Sequence, residues 1–277
     1  MATATQTKYE VNVDIVPSKL QSGIVYAPFD LAQAELESEN YDIISLPVNV
    51  EQRMIQGKQH NVSTKGNYVR EGVLYIPRKG TKLVRNSPIL YSAEEATQAH
   101  RDIKEFYPSK EAIEKALADS VDFPLHNIGI PTNRFNEEAL TIWAFGAGDS
   151  DKAQAYGNWL RNGEPEIMKM PVWAVDKDYV NKQNYPFARQ LWFSRLDSRS
   201  VLNGGSRDLH SGDRVRGVRE VSAEGASQKV SKTTETENVK KYTPQEIEEH
   251  KKIVEGVRTG ELPASKLEEV LGLFSRL

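Results

Sequence analysis

The segment LWFSRLDSRSVLNGGSRDLHSGDRVRGVRE, residues 191–220, most constrains what this chain can fold into. Recurring Leu, Arg and Gly residues alternate there with short polar residues. Between residues 193 and 219 the sequence contains no Lys, Glu, Gln, Met or Trp. The segment has neither the apolar stripe of a helix nor the regular alternation of a half-buried strand. Its Leu and Gly spacing instead predicts a loop-rich part of a sheet with a fixed backbone and variable intervening residues.

We call the recurring residues the frame and the residues between them the interleaved positions. The frame consists of Leu191, Trp192, Leu196, Arg199, Ser200, Leu202, Gly204, Arg207, Leu209 and residues 214–219. The interleaved positions are Ser194, Arg195, Asp197, Ser198, Val201, Asn203, Gly205, Ser206, Asp208, His210, Ser211, Gly212 and Asp213, to which we add Phe193. Every amino-acid type at these positions can be reached by changing the two adenines of an Asn codon, whereas the five missing types cannot. Adenine-directed mutagenesis of an Asn-rich template leaves such a pattern.

The same segment is locally basic, although the whole chain has a formal net charge of −3. Between residues 195 and 219 it contains six Arg and three Asp, a balance of +3. Such a balance is typical of a solvated loop with fixed arginine contacts. It is also typical of a patch for an anionic ligand, because the guanidinium group is a rigid bidentate donor. Neither interpretation by itself explains the frame.

With this frame, the segment resembles the variable region of the target proteins of diversity-generating retroelements. The closing DRVRGVRE and the pattern LW…LD.RS.LNG…R.L carry the resemblance, which extends over about residues 68–221 with Trp173 and Trp192 as core positions. It implies a C-type lectin fold, related to the formylglycine-generating-enzyme type, in which the interleaved positions contact ligand. In that family the region often lies near the chain end, whereas here residues 222–277 follow it.

The predicted fold class is therefore α+β. We expect a C-type lectin-like domain with a loop-rich antiparallel sheet and flanking helices, followed by a C-terminal helical tail. Residues 1–67 are predicted as a β-rich region, either accessory or completing the edge of the domain, with strands over residues 9–16 and 41–50. Residues 68–222 form the lectin-like domain with variable region 191–219, and its first strand spans residues 68–77. Residues 223–240, which lack aromatic residues, are predicted as a flexible linker.

Helix-capping patterns predict the helices. The capping box that begins at Ser92 predicts a helix over residues 93–106, and Ser109 caps a second helix that reaches residue 118. Asn136 is the expected cap of a helix over residues 137–144, and residues 150–160 form another. In the tail, Thr243 begins the first of two amphipathic helices over residues 241–277. Their apolar stripes predict pairing with each other, with the main domain or with another chain, and so self-association or partner docking.

The sequence offers little support for catalysis. It contains no Cys, which excludes disulfides, Cys–zinc sites and Cys nucleophiles. None of the five His residues stands at metal-ligand spacing, and the Gly146–Gly148 pair lacks the third glycine of a phosphate loop. We therefore predict no enzyme activity, no cofactor and no metal. The negative net charge disfavours nucleic-acid binding. No membrane-length apolar run or signal peptide is visible, which predicts a cytoplasmic location unless the protein is displayed on a cell or virion surface.

The predicted function is that of a hypervariable ligand-binding protein that recognises a protein or other macromolecule. Short polar residues on a rigid scaffold resemble the adaptable contacts of antibody paratopes. One alternative is an attachment protein of a virion or cell surface with a fixed binding patch. Another is an oxidase-like enzyme of the same fold class, but that chemistry depends on Cys or copper and the chain has no Cys.

Overall fold

A computed structural model describes residues 9–14, 20–162, 168–196 and 200–220, and these residues build a mixed sheet with helices around it. The strands are β1 (Asn12–Asp14), β2 (Leu20–Tyr26), β3 (Asp42–Ile43), β4 (Asn67–Ile76), β5 (Gly80–Val84), β6 (Ser120–Asp122), β7 (Ile128–Pro131), β8 (Lys169–Trp173), β9 (Phe187–Phe193), β10 (Leu202–Asn203) and β11 (Arg214–Glu220). The helices are α1 (Phe29–Ser38), α2 (Leu46–Gln56), α3 (Asn61–Thr64), α4 (Ala93–Arg101), α5 (Lys110–Leu117), α6 (Ala139–Gly146), α7 (Ser150–Arg161) and α8 (Lys177–Lys182).

The order of the strands brings the two ends of the described chain together. Along the sheet they run β1-β2-β11-β4-β9-β10-β8-β7, with β3 on β11, β5 on β4 and β6 on β5. Strand β2 pairs antiparallel with β11 from Leu20 opposite Glu220 to Tyr26 opposite Arg214. The N-terminal region thus completes the sheet beside the end of the variable region. The sheet is not purely antiparallel, because β10 pairs parallel with β8 and β11 pairs parallel with β4.

Strand β9 is buried on both sides, and even its polar residues Arg189 and Gln190 are buried. Phe187, Leu191 and Phe193 belong to one buried cluster. Ala188 and Trp192 pack into a second cluster, which also contains residues of α1 and β11. Alternate residues of the strand therefore enter different cores. A strand of this kind carries no in-and-out polarity from which exposure could be predicted.

The predicted strand over residues 41–50 is wrong over most of its length. Only Asp42–Ile43 is extended, and helix α2 begins at Leu46 with Pro47 in its first turn. Proline suits that position because its fixed φ is helical and its missing N–H would have no partner there. Leu46, Val50 and Arg53 are buried at helical spacing. Because α1 also lies in this region, the described part of residues 1–67 contains more helix than strand.

The helix predictions are confirmed in part. Strand β4 and helices α5 and α7 lie where predicted, and Ser109 Oγ accepts from Ala112 N at 3.2 Å as an N-cap. The capping box at Ser92 is wrong, since its side chain makes no capping bond, and α4 ends at Arg101. Helix α6 starts after Glu138 rather than after Asn136. The predicted linker and C-terminal module, 223–240 and 241–277, lie outside the described residues. None of the described helices is long and apolar enough to cross a membrane.

Candidate functional site

The variable region lies in the middle of the sheet and not at its edge. It contains the end of β9, all of β10 and most of β11, with a first loop described at residues 194–196 and 200–201 and a second loop over residues 204–213. The frame leucines point inward, and Leu191, Leu196, Leu202 and Leu209 are at most 5% exposed. Both loops therefore run between strands that are fixed by two hydrophobic cores.

The interleaved positions divide into a surface group and an interior group. Exposed or half-buried are Arg195, Asn203, Gly205, Ser206, Asp208, His210, Ser211, Gly212 and Asp213. Asp197 and Ser198 lie outside the described residues. Phe193, Ser194 and Val201 were predicted to contact ligand. Their side chains are buried instead and do not lie on the accessible surface. The reason is the sheet: Phe193 ends a strand buried on both sides, and the Ser194 N–H donates to Val201 O at 2.9 Å to close the first loop.

Of the two tryptophans predicted as core positions, one packs in the core and the other is exposed. Trp192 is half-buried, and its ring meets Tyr68 edge to face at a centroid distance of 5.0 Å, as expected of a core position. Trp173 is 46% exposed, so its prediction as a core residue is wrong. It ends β8, where it pairs with the interleaved residue Asn203 of β10. One exposed aromatic side chain thus adjoins the variable surface.

A fully buried arginine holds both ends of the first loop. Arg53, on the inner face of α2, donates from Nη2 to Ser194 O at 2.8 Å and from Nη1 to Ser200 Oγ at 2.9 Å. Its Nε donates to Val62 O at 3.1 Å, and its guanidinium carbon lies 3.7 Å from the centre of the Phe193 ring. Apart from the Phe193 ring, these contacts reach backbone carbonyls and a frame hydroxyl. The hydrogen bonds of this anchor therefore do not depend on the interleaved side chains of the first loop.

The direct contacts of Arg53 are with neutral groups. Its Nε also donates to Asn49 Oδ1 at 3.1 Å, and its Nη1 lies 3.4 Å from the hydroxyl of Tyr156. The Tyr156 hydroxyl is in turn 2.7 Å from Ser200 Oγ. Burial lowers the pKa of Arg53 from its usual value because the guanidinium has lost its water, and the positive charge of nearby Arg216 adds to the lowering of this pKa. The cation is retained because carbonyl, amide and hydroxyl dipoles and an aromatic face replace that water.

The second loop is held at its start by a similar arrangement. The Tyr75 hydroxyl donates to Gly204 O at 3.1 Å, and Arg189 Nη1 donates to the Gly205 carbonyl. Arg189 also binds the buried Glu105 carboxylate through two nitrogens, with Nη2 2.6 Å from Oε1 and Nε 3.2 Å from Oε2. A Cβ on Gly204 would lie 2.6 Å from a Val73 methyl, so this frame position has no room for a side chain. Again the fixed contacts are made to the loop backbone.

Frame residues hold the rest of the second loop. Arg207 Nη1 donates to Ile103 O at 3.3 Å and lies 3.8 Å from Glu105. Leu209 enters the second core, and its carbonyl accepts from Phe29 N at 2.8 Å. The start of the loop is thus tied to β4 and β9, and its centre to the turn after α4 and to α1. The sequence interpretation of Leu209 as a frame position agrees with its burial.

Side chains at the interleaved positions of this loop bond mainly to one another. Ser206 Oγ donates to Asp208 Oδ2 at 2.6 Å. The Ser211 hydroxyl lies 2.7 Å from Asp213 Oδ2 and 2.6 Å from the Asp208 carbonyl, and its one proton serves these two acceptors. Short polar residues of this kind satisfy themselves locally or with water, so each can be replaced at little cost to the fold.

A buried histidine lies beneath the second loop. His100, on α4, is 2% exposed, and neither ring nitrogen has a hydrogen-bond partner among the described residues. Burial lowers its pKa to about 4, against the attraction of nearby Glu105 and with repulsion from Arg189, Arg207 and His210. At neutral pH the ring is therefore uncharged. In the described ranges, His, Asp and Glu side chains nowhere gather in a group of three or more that could hold a metal ion.

Sequence reasoning missed the residues that anchor the loops. Arg53 carried a signal, because it lies on the apolar stripe of α2, three residues after Val50. Glu105 and Arg189 are 84 positions apart, and no local pattern in the sequence indicated that they would pair. His100 was interpreted as an ordinary surface or core residue, and its burial places it in the core.

No protein-family model and no curated protein matches the sequence. A solved structure described as "Accommodation of massive sequence variation in Nanoarchaeota by the C-type lectin fold" superimposes with a TM-score of 0.51 and 14% sequence identity. The superposition covers 78% of this chain and 99% of that chain. This likeness shows the fold: the described chain is an α+β protein with a mixed sheet and a C-type lectin fold.

Proposed function

We propose that the chain is a hypervariable ligand-binding protein, the target protein of a diversity-generating retroelement. One observation carries the proposal: the interleaved positions that reach the surface lie on loops whose backbones are held from inside. Arg53 and Arg189 bind the Ser194 and Gly205 carbonyls, and these bonds do not depend on which side chains the loops carry. Such a scaffold admits side-chain changes at the surface while the loop shape is kept. A structure described as accommodating massive sequence variation in the same fold supports the proposal.

The ligand we propose is a protein or another macromolecule, bound without catalysis. Rigid loops lower the entropic cost of binding, because little ordering is required when the partner arrives. We place the chain in the formylglycine-generating-enzyme-like subtype of the fold. Its oxidase chemistry is not part of the proposal, since the chain has no Cys. A cytoplasmic location, or display on a cell or virion surface, stays a prediction.

Sequencing this gene and its surroundings across the source population tests the proposal. The expected result is variation concentrated at adenine-bearing codons of the surface interleaved positions, with the frame unchanged and a nearly identical Asn-rich template nearby. Codons of Arg53 and Arg189 serve as an internal control and should not vary. A segment without variation and without a template would contradict diversification. The alternative, an attachment protein with a fixed patch, would then be favoured, and virion structural genes beside this gene would support it.

A further inference from the structure

Large apolar side chains are exposed beside the second variable loop but outside the variable region. They are Ile103, Tyr107, Tyr179 and Tyr185, whose exposed fractions are 76%, 47%, 37% and 68%. They come from the turn after α4, from α8 and from the segment before β9. We call this group the constant patch. Exposed apolar groups of this kind mark interaction surfaces when they are contiguous.

Contacts connect the constant patch to the loop. Arg207 of the second loop donates to the Ile103 carbonyl at 3.3 Å and lies 3.8 Å from the Glu105 carboxylate. The hydroxyl of Tyr179 donates to the same carboxylate at 2.7 Å. The interleaved residues that flank Arg207 therefore border the patch, and loop and patch form one continuous surface.

The tyrosines of the patch are held in fixed orientations. The Tyr107 hydroxyl donates to Gln183 Oε1 at 3.1 Å, and Gln183 Nε2 is 3.4 Å from the Tyr179 carbonyl. The rings of Tyr107 and Tyr185 meet edge to face with centroids 6.3 Å apart. With the Tyr107 and Tyr179 hydroxyls already bonded, the rings offer rigid apolar faces to a partner. Tyrosine in this state provides contact area at a low cost in conformational entropy.

Ile103 combines a helix-ending backbone with an exposed apolar side chain. Its N–H donates to His100 O at 3.0 Å and the Lys104 N–H donates to Ala99 O at 2.8 Å, which closes the last turn of α4. The Ile103 φ of +60° lies in the left-handed region, which a β-branched residue rarely adopts. Its side chain is the most exposed of the large apolar residues named above. Glycine or asparagine adopts this backbone conformation more easily, and neither would expose an apolar side chain to water. The end of α4 explains the backbone conformation but not the choice of an exposed isoleucine at this position, and a binding role would explain that choice.

We propose that the constant patch is the invariant half of the ligand-binding surface, and that its occupant is a folded protein with an exposed apolar epitope. The inference rests on the proposed function. Among the described residues, nine interleaved positions reach the surface, most of them with short, polar side chains, whereas a stable protein interface uses roughly 20–30 residues a side. Binding energy concentrates in buried aromatic and arginine anchors. The patch supplies such anchors next to Arg207, and the variable loops supply the choice between partners.

A displayed library of the full chain tests this division of roles. The surface interleaved positions are randomised, and the library is selected on purified lysozyme, on purified serum albumin and on dextran beads. Binders to the two proteins are then remade with Tyr185→Ser, with Ile103→Gly or with the control Tyr91→Ser, an exposed tyrosine outside the patch (54%). The expected result is a loss of affinity of at least about tenfold for each patch variant and none for the control.

Ile103→Gly separates binding from folding. Because glycine relieves the positive φ, this variant should keep or raise the melting temperature while binding is lost. Protein binders that are unaffected by both patch variants would overturn the constant patch and leave the proposed function standing. Binding confined to dextran would overturn the class of partner. A library that yields no binders to any probe would overturn the proposed function and this inference together.

Discussion

Replacing Arg53 with Met tests whether a buried cation fixes the first variable loop. Methionine is similar in length and apolar, so it fills the space without the guanidinium. The carbonyls of Val62 and Ser194 and the Asn49 side-chain oxygen would each lose the donor that Arg53 supplies. Ser200 would be affected less, because its hydroxyl retains a partner in Tyr156 at 2.7 Å.

The magnitude follows from these contacts. A buried polar group that loses its partner costs about 1–3 kcal/mol, and three acceptors are affected. Part of the cost is offset, because the variant no longer has to remove a guanidinium from water. We therefore expect the free energy of unfolding to fall by about 3 kcal/mol. For a domain with a typical stability of about 5–15 kcal/mol, this is a large fraction.

Urea unfolding of the two proteins measures the effect, and Arg134→Met is the control. Arg134 is exposed and paired with Glu137, so its replacement should change stability by no more than about 0.5 kcal/mol. Amide hydrogen exchange at Ser194, whose N–H closes the loop on Val201, should become faster in Arg53→Met alone. A loss below about 1 kcal/mol with unchanged exchange would refute the role of Arg53 as the anchor of this loop.

Three further predictions address the frame and the buried histidine. Leu209→Ala should destabilise the fold by about 2–5 kcal/mol in thermal unfolding, since the side chain is 1% exposed, whereas Asp208→Ala should stay within about 0.5 kcal/mol. Gly204→Ala should lower the free energy of unfolding by about 1–3 kcal/mol, because its Cβ would overlap a core methyl group. Gly205→Ala, whose Cβ would have its nearest contact at 3.4 Å, should be nearly neutral. Equal effects of the two variants would contradict the assignment of Gly204 to the frame. The pKa of His100 is lowered to about 4, so its contribution to stability is complete above the unfolded pKa of about 6.5 and declines as the pH falls towards 4. From pH 7 to pH 5 the wild type should lose about 2 kcal/mol more than His100→Phe in urea unfolding, and parallel losses would show that the ring does not titrate in this way.

From the sequence alone, the burial of the leucines in residues 191–219 could be predicted, together with the exposure of most of the short residues between them. Leu196, Leu202 and Leu209 are buried, and the positions from Asn203 to Asp213 that were predicted to vary are exposed or half-buried. The sequence also indicated the α+β class and the Ser109 cap. These features are local: spacing, side-chain size and capping chemistry act over a few residues and can be recognised without the fold.

Only the tertiary structure decided which residues hold the loops and which interleaved residues turn inward. Phe193 was placed at the surface but is buried, because β9 packs against a core on each side and its sequence gives no sign of which side faces water. Arg53 reaches Ser200 across 147 positions, and Glu105 reaches Arg189 across 84. Partners at such separations are chosen by the pairing of strands and the packing of α2 against the sheet. Local sequence carries no record of that choice, because the free energy that fixes it comes from contacts formed only in the folded chain.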